Sequence, residues 1–240
     1  MSNLAIITGA SRGLGLALAS SVPFPARVVD ISRSGPPVGI DLDHLEADLS
    51  DTETWGEISA RIGDLLTTEQ PERAVFIHAA GTLNPIGFAG EVDSGAYTRS
   101  VLLNCASGQV LGHAFLTALR DRKGQFDLVM VSSGAASATY AGWSAYSAGK
   151  AALDQWVRTV GSEQRLRGGV RVSAIAPGVI NTPMQADIRE MPIDDFPAVG
   201  RFHDLHREGE LVEPDVAARK LWAAIETGLE SGSVLDLRDL

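Results

Sequence analysis

The sequence predicts an α/β fold: a single doubly wound, mostly parallel sheet with helices on both faces. Three observations predict it. Short continuous apolar runs such as Leu4-Ala-Ile-Ile7 recur along the chain, as strands buried on both faces require. Segments of helical spacing separate them, and that alternation builds a parallel sheet. No linker, repeat or low-complexity tract interrupts the sequence, so 1–240 reads as one domain.

Taken in order, Leu4-Ala-Ile-Ile7 runs straight into Thr8-Gly9-Ala-Ser11-Arg12-Gly13-Leu14-Gly15 and then Leu16-Ala-Leu-Ala19. Strand, glycine-rich turn and helix thus follow one another. The glycines allow a tight turn and close backbone approach to a ligand. The helix start offers free N–H groups and a positive dipole end to a phosphate. Pro23 and Pro25 end this helix, and 26–31 is the second strand, closing on Ser32-Arg33-Ser34. A Gly/Pro-rich loop over 34–43 precedes a short strand at 45–47 and then Asp48-Leu49. Trp55, Ile58, Ile62, Leu65 and Leu66 mark a helix over 52–66, with Ser50 or Asp51 as N-cap. Arg73–His78 is the next strand and closes on Ala79-Ala80-Gly81. A long helix covers 97–119, Gln125–Val131 is a strand, 144–166 a helix and 170–175 a strand. A helix over 214–229 starts on Pro214, a favoured early position, and 234–237 is the last strand. The stretch 183–212 is proline-rich, mixed in charge and weakly periodic. It reads as a long loop or helical flap, a substrate lid.

Composition narrows the function. Hydrophobic residues make up 45% and charged residues 21%, as in ordinary soluble globular chains. No window approaches 18 uninterrupted apolar residues, and no basic region precedes an apolar one at the N-terminus. No membrane span and no secretory signal are therefore expected, and a cytoplasmic location is. The single cysteine, Cys105, excludes an intrachain disulfide and suits a reducing compartment; a small buried side chain is expected there. The net charge of −10, from 20 basic and 30 acidic residues, argues against a nucleic-acid partner. No metal site is expected.

The chemistry centres on Ser144-Ala-Tyr146-Ser-Ala-Gly-Lys150. Residues four apart share a helix face, so the Tyr146 phenol and the Lys150 ammonium can point into one site. The ammonium is expected to lower the phenol pKa from about 10, towards the range useful for proton transfer. Such a pair also arises where a tyrosine merely packs on a lysine stem, so other residues must agree. In doubly wound sheets, ligands bind outside the carboxyl ends of the strands. The residues there are the glycine turn, Ser32 and Arg33, Asp48, Ala79-Ala80-Gly81, Ser132-Ser133 and Pro177-Gly178.

In these motifs, and in their order, the chain resembles the classical short-chain dehydrogenase/reductase family over nearly all its length. Thr8-Gly-x-x-x-Gly13-x-Gly15, Asp48, Asn104 in the long helix and Ser133 thirteen residues before Tyr146 carry the resemblance, with Tyr146-x-x-x-Lys150 and Pro177-Gly178-x-x-x-Thr182. It implies a Rossmann-type fold and hydride exchange between a nicotinamide cofactor and a small-molecule carbonyl or alcohol substrate. By the same resemblance Tyr146 is the general acid in reduction, and Lys150 holds the nicotinamide ribose and keeps the tyrosine pKa low. Ser133 bonds the substrate oxygen, with Ser132 its competitor. Asn104 holds a water that relays protons to Lys150. The cofactor would lie against Gly9, Ser11, Arg12, Gly13, Leu14 and Gly15, then Ser32, Arg33, Asp48 and Leu49. It would also meet Ala79, Ala80, Gly81, Tyr146 and Lys150, and finally Pro177, Gly178, Ile180 and Thr182. One departure is His78-Ala79-Ala80-Gly81, where the family usually has Asn-Asn-Ala-Gly. His78 is read as a hydrogen-bonded strand-end residue, with a proton shuttle as the other reading.

Cofactor choice turns on the end of the second strand. Ser32 with Arg33, and Arg12 in the glycine turn, suit a 2′-phosphate, so NADP(H) is preferred. If the strand ends two residues earlier, Asp30 binds the ribose and NAD(H) is used. The tail from Ser231 resembles the sepiapterin reductase and benzil reductase branch, where Asp236 would match the acid that contacts the pterin. Trp143 reads as pocket wall or core. Met184, Ile188, Met191, Phe196 and Phe202 either line an apolar pocket or pack the flap. The preferred reading is an NADPH-dependent reductase of a ketone or vicinal diketone. The alternatives are a 3-oxoacyl-thioester or hydroxysteroid-type dehydrogenase, and a non-catalytic NADP(H)-binding regulator. Association as a homodimer or homotetramer through the two long helices is expected from the resemblance.

Overall fold

Every residue of β1 (Leu4–Thr8) is buried, because the strand lies at the centre of the sheet with helices on both faces. A computed structural model describes residues 3–40 and 42–239; Met1, Ser2, Asp41 and Leu240, which the expected 1–240 unit and 34–43 loop include, lie outside the described residues. After β1 come α1 (Gly13–Ser20), β2 (Arg27–Ser32), β3 (Asp43–Glu46), α2 (Glu53–Glu69) and β4 (Arg73–His78). Next are α3 (Ser94–Val101), a π turn (Leu102–Ala106), α4 (Ser107–Leu119) and β5 (Gln125–Val131). A single 3₁₀ turn (Gly134–Ala136) precedes α5 (Ser144–Arg167) and β6 (Arg171–Ala176). The chain closes with α6 (Pro183–Arg189), α7 (Val199–Arg207), α8 (Pro214–Glu226) and β7 (Val234–Asp236).

The strands form one seven-stranded sheet in the order β3-β2-β1-β4-β5-β6-β7, parallel at every pairing. The direction of winding reverses between β1 and β4, where Leu4 lies opposite Ala74 and Thr8 opposite His78. Crevices open at such a reversal because the loops leaving the two strands diverge. Alternation along the strands divides the core. Leu4 and Ile6 join Phe76, Leu111, Phe115 and Leu153 on one face. Ile7 joins Val75, Ile77, Leu18, Leu221 and Trp222 on the other. There α8 is locked to α1 by Trp222 Nε1 donating to Leu18 O at 3.0 Å.

The expected elements all form, with shifted ends and one difference in kind. The helix expected at 97–119 begins at Ser94 and widens into a π turn at Leu102–Ala106. Hydrophobic spacing does not reveal such a widening, because it adds one residue without disturbing the turns on either side. By length and composition alone, the helical run Ser94–Leu119, which holds an 18-residue window of mean hydropathy 1.2, is long and apolar enough to cross a bilayer. Polar residues such as Arg99, Asn104 and Gln109 interrupt its apolar ones, and Leu111, Phe115 and Leu119 are buried against the sheet. Of the two readings of the 183–212 stretch, the helical flap forms, with helices α6 and α7. Pro183 and Pro214 stand at the starts of α6 and α8.

Candidate active site

The loops at the carboxyl ends of the strands enclose a cavity of about 720 Å³. All the expected cofactor and substrate residues line it, together with Ser133, Tyr146 and Lys150. Asn104 stands behind this wall. Five lining residues are basic (Arg12, Arg33, Lys150, Arg201, Arg238) and two acidic (Asp48, Asp236), although the chain carries −10 overall. A basic cleft in an acidic protein focuses anions.

The glycine turn is needed sterically. A β-carbon on Gly15 would stand 2.2 Å from Gly9 O, and one on Gly9, at φ +74°, 2.9 Å from Ala80 Cα. α1 starts at Arg12 without a side-chain cap, and Leu16 N–H is the first to bond back, to Arg12 O at 3.3 Å. The N–H groups before it stay available for an anion in the cavity. The turn is braced by Asp30, which accepts from Ala10 N–H at 2.9 Å, Ser32 Oγ at 2.6 Å and His44 Nδ1 at 2.8 Å. Asp30 is fully buried, so its carboxylate is spent inside the protein and Ser32 and Arg33 form the cavity wall. Asp30, on which the NAD(H) alternative is built, does not line the cavity. Asp48 lies beyond: burial would raise it, but the hydroxyl and N–H of Ser50, with Arg33 and Arg99, hold its carboxyl below the usual range. Gln185 Nε2 is buried without a hydrogen-bond partner, and its residue lines the cavity beside Thr182. An uncapped helix start, a glycine cradle, paired arginines and an unpartnered amide fit a dinucleotide phosphate.

At the other end α5 presents Tyr146 and Lys150 to the same space. The extended Ser133 turns the chain into the 3₁₀ turn, its Oγ accepting from Ala135 N–H at 3.1 Å. Burial raises the Tyr146 phenol above its usual value, and the hydrogen bond with Ser133 opposes this. The sequence expectation was a lowered phenol. The difference arises because the Lys150 ammonium lies 5.9 Å from the ring centroid and donates to Val131 O at 2.8 Å, while the phenol is enclosed. Burial lowers Lys150 to about 8, and Asp154 pulls the other way. Asp154 is one turn further along the same face of α5 and buried. Sequence reasoning passed over it; its four-residue spacing from Lys150 was the available signal.

Asn104 does not hold its side chain free for a water. Its Oδ1 accepts from Thr82 N–H at 3.0 Å, and its Nδ2 donates to Thr82 O at 2.8 Å and Ser100 Oγ at 3.1 Å. It clamps the loop after β4 to the π turn. His78 is the expected hydrogen-bonded residue. Thr8 Oγ1 already accepts from Ala79 and Ala80 N–H, at 3.1 and 3.0 Å, so its hydroxyl donates to His78 Nδ1 at 3.0 Å. The proton of the neutral ring then sits on Nε2, 3.4 Å from Ser107 Oγ. Burial, with Lys150 beside it, lowers His78 to about 3. Thr8 and His78 thus brace the position where the family usually has Asn. Cys105, expected buried, is half-buried.

The substrate end is aromatic. Trp143 stacks on Phe196 at 4.6 Å and meets Tyr146 edge-on at 5.8 Å. It is both wall and core. Met184, Ile188 and Phe202 reach the cavity, whereas Met191 and Phe196 pack α6 and α7 onto Trp143. Two residues here escaped sequence reasoning. Arg201 Nη1 donates to Tyr140 Oη at 2.6 Å. Arg238 grips Asp236 through Nε at 2.9 Å and Nη2 at 2.6 Å. The signal for the second was an arginine two residues past Asp236 at a strand end.

Comparison with known proteins agrees with this geometry. The short chain dehydrogenase family model matches residues 3–193. Benzil reductase ((S)-benzoin forming) of Bacillus subtilis is 35% identical over 242 residues, covering 98% of each chain. Sepiapterin reductase of Rattus norvegicus is 30% identical over 256 residues, covering 98% of this chain and 96% of the relative. A crystal structure of a short chain dehydrogenase/reductase of Saccharomyces cerevisiae superposes with a TM-score of 0.84 at 24% identity, over 100% of this chain and 97% of the other. A parallel sheet with its reversal at β1 and β4, a glycine turn there, and Ser133, Tyr146 and Lys150 in one cavity accompany those matches: the chain belongs to the short-chain dehydrogenase/reductase family of oxidoreductases.

Proposed function

We propose that the protein reduces a ketone or vicinal diketone to an alcohol with NADPH, Tyr146 acting as general acid. The observation that carries this reading is one cavity with Ser133, Tyr146 and Lys150 at one end and Ser32 and Arg33 at the other, where the neighbouring Asp30 carboxylate is buried and bound inward. NADPH, when bound, supplies the hydride. The glycine turn and the start of α1 would take its diphosphate. Arg33 and Arg12 would take the 2′-phosphate, a dianion that two guanidiniums suit, beside Ser32, whose hydroxyl proton goes to Asp30.

Ser133 donates a hydrogen bond to the substrate carbonyl oxygen and stabilises the charge that grows there. Tyr146 gives that oxygen its proton. A phenol raised by burial stays protonated through neutral pH, as a donor must. Lys150, still charged below about pH 8, stabilises the phenolate left behind and holds the cofactor ribose. Trp143, Met184 and Phe202 shield the reacting carbon from water. Segment 183–212 acts as the lid, and the exposed faces of α4 and α5 carry association into a homodimer or homotetramer. The likeness to benzil reductase supports the diketone.

The test is the loss of NADPH absorbance on adding benzil, with wild type, Tyr146→Phe, and NADH in parallel. Wild-type turnover that falls by about 10²–10⁴-fold in the variant is expected, with NADPH used well ahead of NADH. Equal turnover by Tyr146→Phe, or failure to bind NADPH, would overturn the reading.

A further inference from the structure

The C-terminal turn puts a guanidinium beside the catalytic serine, and the reading above gives it no task. β7 ends at Asp236, and Leu237 N–H donates to Ala176 O at 2.9 Å, which fixes the turn to β6. Asp239 N–H closes the turn on Asp236 O at 3.0 Å. The Arg238 side chain is thereby thrown back across the carboxyl edge of the sheet. Its Nη2 lies 3.5 Å from where a β-carbon on Gly134 would stand, and its Cγ lies 3.6 Å from the corresponding point on Gly178. Arg238 therefore crosses the residue next to Ser133 and the loop after β6, inside the cavity wall.

This arginine is held firmly for a surface residue. Asp236 Oδ1 accepts from Arg238 Nε at 2.9 Å and from Arg238 N–H at 2.9 Å, and Oδ2 accepts from Nη2 at 2.6 Å. The Asp236 side chain is only 17% exposed and that of Arg238 58% exposed. Planar two-point pairing of this kind fixes the guanidinium's plane as well as its position. Among the described residues Nη1 makes no hydrogen bond, so its N–H groups are available to a ligand.

We infer that Arg238, oriented by Asp236, donates to the second carbonyl oxygen of a vicinal dicarbonyl substrate whose first oxygen sits between Ser133 and Tyr146. The chemistry of the pair selects this class. Asp236 offsets the guanidinium charge, so the pair suits a neutral acceptor better than a full carboxylate. The aromatic wall of Trp143, Tyr140 and Phe202 then receives the substituent on either carbonyl. A site built to hydrogen-bond a substrate oxygen rejects the analogue lacking it, because its donor is left unpaired. The inference rests on the carbonyl-reductase reading.

The test compares benzil with deoxybenzoin, which lacks the second carbonyl, in wild type, Arg238→Met and Asp236→Asn, with NADPH. Comparing each ketone across variants cancels the greater intrinsic reactivity of the diketone. For benzil, kcat/KM should fall about ten- to hundredfold in Arg238→Met, the loss of a hydrogen bond from a charged donor. It should fall by a smaller factor in Asp236→Asn, while deoxybenzoin changes by less than about threefold in both. NADPH affinity and melting temperature are measured alongside and should not move. Equal losses on the two ketones, or no loss on benzil, would overturn the assignment of Arg238 alone. Turnover of neither ketone by wild type would overturn both the assignment and the reading beneath it.

Discussion

Asp30 is where the structure separates a cofactor ligand from a structural brace, and Asp30→Ala tests the difference. The carboxylate is the acceptor for three donors: Ala10 N–H, Ser32 Oγ and His44 Nδ1. Their fates on its removal differ. Ala10 is fully buried, so its N–H is orphaned at about 1–3 kcal/mol. The Ser32 hydroxyl can rotate, and His44, with 28% of its side chain exposed, can turn to water, so each recovers part of its bond. A total loss of about 3–4 kcal/mol follows. For a chain of this length each kcal/mol lowers Tm by about 2–4 °C, so a fall of about 6–16 °C is expected. The assay is thermal unfolding followed by circular dichroism, with kcat/KM for NADPH and NADH measured below the transition. The ratio of the two cofactors should stay within about twofold, because Asp30 does not line the cavity. Near wild-type stability together with a selective loss of NADH use would refute the reasoning and make Asp30 a ribose ligand.

Three further outcomes are expected. Arg33→Asp should shift the NADPH-to-NADH ratio of kcat/KM towards NADH by about tenfold or more, by repelling a 2′-phosphate; steady-state kinetics with both cofactors checks it. Lys150→Met should abolish turnover yet stabilise the fold at pH 7. The buried ammonium is depressed from 10.5 to about 8, so its full cost, about 3 kcal/mol, is present below pH 8 and fades as pH rises to 10.5; denaturant unfolding at pH 7 and 10.5 shows whether the gain disappears. His78 is depressed from 6.5 to about 3. The stability from keeping it neutral is complete above 6.5 and lost as pH falls towards 3, about 3 kcal/mol by pH 4.5. His78→Asn should flatten that part of the stability–pH curve, and an unchanged slope would show that other groups govern acid unfolding.

The local chemistry of the site was legible in the sequence. Gly9, Gly13 and Gly15 follow a strand and open a helix, and Tyr146 and Lys150 are one helical turn apart; each pattern is complete within a few residues. The apolar runs likewise declared a sheet covered on both faces, and Pro214 announced a helix start. What neighbouring residues cannot encode is who meets whom across the sheet. Asp30 remained the alternative to Ser32 at the end of β2, and only Ala10 and His44, from β1's turn and β3, show the aspartate bound inward. Asn104 looked available until the loop after β4 folded onto it. The expected pull of Lys150 on Tyr146 reversed because a charge effect depends on burial and on the partner the ammonium prefers, Val131 O. Asp236 was read as a substrate contact and Arg238 passed unread; only packing of the tail beside β6 brings the arginine over Gly134. Residue types and their spacing therefore determined the fold and the reaction class. Tertiary structure decided protonation and side-chain pairing, because desolvation and pairing are set by segments distant in sequence.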